Sequence, residues 1–221
     1  MTFSILARDE ESGAIGGAAA TGSLCVGGWV LRGHALAGMS ASQGMAPSTF
    51  WGEDVLEMMA NGQSAEKAVR AVTEPDAGRA QRQLSALPLT GPGAAYTGKS
   101  NTPVTGERLF PGGIAAGNML AGPEVVDALA DGFLSATGSF PERLLAGLRA
   151  AESAGSDSRG LLSAALLVVS PAHAPLTLRI DHAEHPLAAL EDLLARATSG
   201  DYADWARQVP CLDDPERIYG G

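Results

Sequence analysis

The chain has 221 residues, 45% of them hydrophobic and 18% charged, a composition that builds a globular core and excludes an unfolded polyelectrolyte. Its formal net charge of −10 repels phosphate backbones and anionic lipid surfaces, so neither nucleic acid nor membrane is expected as a partner. Two cysteines make no disulfide framework, the acidic N-terminus (Asp9–Glu11) does not read as a signal peptide, and the longest apolar run, Ala164–Val169, cannot span a bilayer; a cytoplasmic protein is expected.

Thr2–Arg8 mixes β-branched and apolar residues before the acidic turn DEESG (Asp9–Gly13) and predicts a strand. Ala14–Ala20 predicts a second strand of small residues, suited to close packing. Val26–Leu31 and His34–Ser40 predict two more strands around an Arg32-Gly33 turn. Val55, Leu56, Met58 and Met59 recur at helical spacing in a helix that starts near Ser48 and stops at Asn61-Gly62. Ser64 caps a second helix, Ala65–Val72. Gln81–Leu87 and Gly93–Thr97 predict a hairpin around LTGP (Leu89–Pro92), and Gly113–Leu120 another strand.

Pro123 then opens a helix, because proline in the first turn loses no hydrogen bond. Ser139-Phe140-Pro141-Glu142 is a capping box for a helix reaching about Ser153. Ser163–Val169 and Leu176–Ile180 predict a buried strand pair, and Pro186 opens a helix to about Thr198. Residues 201–221 read as a short helix and an irregular tail. Strands and helices come in groups instead of alternating singly, which fits antiparallel sheet with helices packed outside.

One motif invites a misreading. GAAYTGKS (Gly93–Ser100) fits the phosphate-binding pattern G-x-x-x-x-G-K-[ST], in a chain with only two lysines. That loop must follow a buried strand and open a helix. Here AAYT is itself a strand by composition, and Pro103 and Gly106 oppose a helix after it, so a hairpin strand ending in a turn is expected.

MTFSILARD at the start, GRAQRQ (Gly78–Gln83), AAYTG (Ala94–Gly98), GNMLAGPEVV (Gly117–Val126) and SAALLVV (Ser163–Val169) together resemble the domain-of-unknown-function 1028 family, from Met1 to roughly Leu194. That family is placed among the N-terminal nucleophile (Ntn) hydrolases. The resemblance implies an α+β fold, a four-layer α-β-β-α sandwich of two mainly antiparallel sheets, as one domain over residues 1–200 with a C-terminal extension over 201–221. It implies that Thr2, exposed as the first residue after removal of Met1, is the nucleophile of an amide-bond hydrolase acting on a small substrate without a cofactor. An α-amine has an ordinary pKa of about 7.7–8.0, so the amine of Thr2 suits general-base work on its own hydroxyl.

Within the same frame, Asn118 is a candidate oxyanion donor or a turn residue. Arg82, with Asp76 nearby, is a candidate anchor for an anionic substrate end or a structural ion pair. Either Arg82 or its neighbour Gln83 must face the core. Asp157 is expected near the mouth of the site and Ser163 along its wall. Asp181-His182-Ala183-Glu184-His185 looks metal-like, but His185 reads as the residue before the helix at Pro186, and no metal site is expected. Against the family pattern, Gly22 stands where a basic residue is frequent, Ala46 where asparagine is, and Leu161 and Leu162 replace a polar pair. The competing expectation is a catalytically silent member that binds a small molecule or assembles with itself.

Overall fold

The computed structural model describes residues 2–156 and 160–220. Among them the order is β1 (Thr2–Arg8), β2 (Ile15–Thr21), α1 (Val26–Trp29), β3 (Leu31–His34), β4 (Gly38–Gly44), α2 (Thr49–Ala60), α3 (Ala65–Thr73), β5 (Arg82–Pro88), β6 (Ala94–Thr97), β7 (Thr105–Phe110), β8 (Gly113–Asn118), α4 (Glu124–Ser135), α5 (Phe140–Ser153), β9 (Ser163–Val169), β10 (Leu176–Ile180), α6 (Pro186–Ala197) and α7 (Gly200–Ala206). Two antiparallel sheets result: six strands in the order β10-β9-β2-β1-β8-β7, and four in the order β3-β4-β5-β6. No helix among the described residues is long and apolar enough to cross a membrane.

Strand alternation sorts the side chains into three buried clusters. On one face of β1, Phe3, Ile5 and Ala7 pack against Leu129, Phe133, Leu144 and Leu148 of α4 and α5, with α6 alongside. On the other face, Leu6 joins Ile15, Ile114 and Ala165 of its own sheet to Leu31, Met39, Ala41 and Leu87 of the four-stranded sheet. The far face of that smaller sheet buries Leu84 and Ala86 against Trp51, Val55, Met59 and Val69 of α2 and α3. The two glycines of β2 make the packing tight on both of its faces, Gly16 on the helix side and Gly17 on the inter-sheet side. A Cβ on Gly16 would meet Val168 Cγ2 at 2.8 Å, and one on Gly17 would meet Leu6 Cδ2 at 2.7 Å.

The expected helix signals hold. Ser48 and Ser64 accept from Trp51 N and Lys67 N at the starts of α2 and α3, and Ser139 with Glu142 forms the capping box of α5. Two expectations need correction. Val26–Leu31 is not a strand: Val26–Trp29 is one helical turn, closed by Val30 N donating to Val26 O at 2.9 Å. Its glycines explain why. A Cβ on Gly27 would meet Arg179 Cγ at 2.7 Å and Ala165 Cβ at 2.8 Å, so VGGW coils down onto β9 and β10. The turn expected at Arg32-Gly33 falls instead after His34, since β3 and β4 close on His34 opposite Gly38. The sequence reading also passes over β7, an edge strand whose side chains are nowhere fully buried.

The phosphate-loop pattern has none of the expected surroundings. β6 leads into a tight turn and then β7, with no helix between. Gly98 lies so close to the preceding chain that a Cβ would meet Arg79 O at 2.2 Å and Ala80 O at 2.5 Å, and Lys99 is exposed.

Candidate active site

Six strands share one property that only their pairing reveals. Each carries an inter-sheet series of side chains that is apolar at one end and polar at the other. The series run Leu6-Ser4-Thr2 in β1, Ile15-Gly17-Ala19-Thr21 in β2 and Met39-Ala41-Gln43 in β4. They run Leu87-Ser85-Gln83 in β5, Ile114-Ala116-Asn118 in β8 and Leu167-Ala165-Ser163 in β9. Antiparallel register brings the polar ends together: Thr2 lies opposite both Thr21 and Asn118, Thr21 opposite Ser163, and Gln43 opposite Gln83. The apolar ends form the inter-sheet core and the polar ends form a site.

A cleft of about 350 Å³ opens at that polar end. Thr2, Thr21, Ser23 and Gln43 supply its polar lining, while Leu24, Trp29, Met45 and Met119 are among its apolar walls. Thr2 is 9% exposed, and its Oγ1 donates to Thr21 Oγ1 at 3.1 Å. A hydroxyl held this way points along a defined direction at the edge of the cleft.

Beneath Thr2 lies a buried amide network whose orientation follows from its partners. Gln83 Nε2 faces three acceptors, Thr97 Oγ1 at 2.9 Å, Gly117 O at 3.0 Å and Gly106 O at 3.1 Å, so its nitrogen must be there. Gln83 Oε1 is therefore the acceptor, taking Gln43 Nε2 at 2.7 Å and Asn118 Nδ2 at 3.3 Å. Gln43 Nε2 also lies 3.5 Å from Thr2 O. The remaining amide oxygens, Gln43 Oε1 and Asn118 Oδ1, are buried with no partner among the described residues. Gln43, Gln83 and Asn118 are each at most 1% exposed.

The structure separates the residues singled out by sequence. Thr2 lines the cleft. Asn118 stands beside Thr2 in the ladder, but its Nδ2 is committed to Gln83. Ser163 braces the cleft wall: its Oγ accepts from Val26 N at 3.1 Å and donates to Ser23 O at 2.8 Å, fixing the turn into α1. Arg82 and Asp76 bond to each other. Arg82 Nε also donates to Ala46 O at 2.9 Å, and its guanidinium stacks on Trp51. Burial pushes the Asp76 carboxyl up, but the Gly78 N–H and Arg82 outweigh it and hold that carboxyl below its ordinary range. Asp157 lies outside the described residues. No group of three His, Cys, Asp or Glu among the described residues is placed to hold a metal.

Of the Arg82-Gln83 pair, Gln83 is the residue that faces inward. Gln43, Thr21 and the hydrophobic rim escaped the sequence reading. Their signal was the period-2 series ending in a polar residue, which has meaning only once the strands are aligned.

No curated protein matches the chain. The crystal structure of protein SPO2555 from Silicibacter pomeroyi, described with the same family, is similar to it at 58% identity and a TM-score of 0.96, over 100% of this chain and 96% of that one. A family model described as "Family of unknown function (DUF1028)" matches residues 2–190, and with that match over most of its length the chain belongs to the DUF1028 family.

Proposed function

We propose that the protein is an N-terminal nucleophile amidohydrolase acting on a small substrate, with Thr2 as nucleophile once Met1 is removed. The observation that carries this reading is the position of Thr2. It begins a central strand of the larger sheet, and its hydroxyl lies at a cleft rooted in a buried polar network. Two facing antiparallel sheets, with α4–α6 outside one and α2–α3 outside the other, support the four-layer sandwich of the Ntn superfamily as the architecture.

In this mechanism Thr2 Oγ1 attacks the amide carbonyl carbon while its proton passes to the Thr2 α-amine. The C–N bond breaks, the amine product leaves with that proton, and an ester joins Oγ1 to the acyl group. Water activated by the same α-amine then hydrolyses the ester and restores the hydroxyl. Asn118 and Gln43 position the Thr2 main chain from below, through Gln83 and the β1–β8 ladder. The chemistry requires no cofactor.

Protein produced in its own host should lack Met1 by intact mass. Met-free protein should hydrolyse members of an amide-substrate panel, and Thr2→Ala should abolish turnover without loss of fold. Retention of Met1 in the native protein, together with silence across the panel, would reject this reading in favour of a silent small-molecule binder of the same fold.

A further inference from the structure

We infer that the Thr2 cleft selects an uncharged acyl group, aliphatic or aromatic, on the carbonyl side of the scissile amide. The assignment to the acyl side rests on the proposed hydrolase, whereas the preference of the cleft for an uncharged apolar group is tested by binding alone.

The covalent step leaves the acyl group joined to Thr2 Oγ1, so that group must lodge in the cleft where the hydroxyl lies. The walls there are Leu24, Trp29, Met45 and Met119, with Val26 and Val30 behind them. Three of these side chains are unusually open for their size: Leu24 is 54% exposed, Trp29 52% and Met45 52%. Isolated exposed apolar residues are ordinary, but three converging on one cleft beside a reactive hydroxyl mark a recognition surface. Thioethers and an indole adapt to an apolar chain of variable shape.

The second observation concerns charge. Among the described lining residues no side chain is ionisable, and the one ionisable group, the α-amine of Thr2 in Met-free protein, is taken up as the base for its own hydroxyl. Arg82, the cation that sequence alone offers for an anionic substrate end, is bonded to Asp76 and Ala46 O and stacked on Trp51. A carboxylate at the far end of the acyl group would lose its hydration against the Leu24, Trp29 and Met45 walls, where no described side chain carries a compensating positive charge. An alkyl chain there gains up to about fourfold in affinity for each methylene buried.

The test uses Met-free protein and three anilides: N-acetyl, N-hexanoyl and N-succinyl. Calorimetric titration of Thr2→Ala measures binding without turnover. The expected result is that the hexanoyl anilide binds at least about tenfold tighter than the other two, a fraction of the full methylene gain. Trp29→Ala and Leu24→Ser, both at exposed positions, should collapse that order. Equal or tighter binding of the succinyl anilide, no binding of any anilide, or an order unchanged by both substitutions overturns the inference. Turnover by Met-free wild type separates the two ideas. A hexanoyl preference in binding with no hydrolysis supports the cleft and rejects the hydrolase. Hydrolysis indifferent to chain length and charge supports the hydrolase and rejects the cleft assignment.

Discussion

Replacing Gln83 with leucine tests whether the amide network is the structural foundation of the site. Gln83 is fully buried and receives two amide donors on one oxygen, Gln43 Nε2 at 2.7 Å and Asn118 Nδ2 at 3.3 Å. Leucine preserves approximate volume but strands both donors in the inter-sheet layer. A buried polar group left without a partner costs about 1–3 kcal/mol, so two give about 2–6 kcal/mol. Set against a total stability of about 5–15 kcal/mol for a folded domain, that is a large share. Urea unfolding followed by circular dichroism should show a much lower midpoint for Gln83→Leu. The double variant Gln43→Leu/Gln83→Leu removes both ends of the shortest bond and one stranded donor with it. Its loss should therefore fall short of the sum of the single losses by about 0.5–3 kcal/mol. A Gln83→Leu protein within about 0.5 kcal/mol of wild type, or strict additivity in the cycle, would refute the reasoning.

Four further outcomes follow from particular contacts. Ser163→Ala removes the two side-chain bonds that Ser163 makes to the Ser23–Val26 turn and should lower stability by about 1–3 kcal/mol in the same denaturation assay, while raising KM on any substrate that fills the cleft. The Asp76 carboxyl titrates lower in the folded chain than in the unfolded one, so its pairing stabilises fully above the ordinary carboxylate value of about 4 and is lost as pH falls through the depressed folded value. The stability gap between wild type and Asp76→Asn, read from urea midpoints, should accordingly be wide at neutral pH and narrow in acid. Gly98→Ala drives a methyl into Arg79 O and Ala80 O and should cost about 3 kcal/mol in thermal or urea unfolding. Lys99→Ala should leave stability unchanged, and neither ATP nor GTP should shift the melting temperature of either protein, because no helix follows β6 to receive a phosphate.

The helices were legible because their signals are local. Ser48, Ser64 and the Ser139–Glu142 box act within one turn of chain, and the structure places the three caps where the sequence does. Strand existence was mostly legible too, from β-branched and small residues between turns. VGGW was not: two glycines carry no periodicity, and the single turn forms because Arg179 and Ala165 leave room only for bare backbone. β7 escaped because an exposed edge strand has no hydrophobic alternation to display.

For the site, Thr2 was reached through the family resemblance, and the residues around it required the fold. The sequence by itself determined the serine-capped helices, the net charge of −10 and the turn that disarms GAAYTGKS. Tertiary structure decided that six inner strands each end an apolar series in a polar residue and that those six ends meet. It also decided that Gln83 orients Gln43 and Asn118, and that Arg82 serves Asp76 instead of the cleft. The physical reason is range. Caps and turns satisfy backbone groups a few residues apart, whereas Thr2 meets Thr21 and Asn118 only through strand register and Gln43 only through the packing of the two sheets, both set by the burial of Leu6, Ile15, Met39 and Ile114 at the opposite end of the same faces.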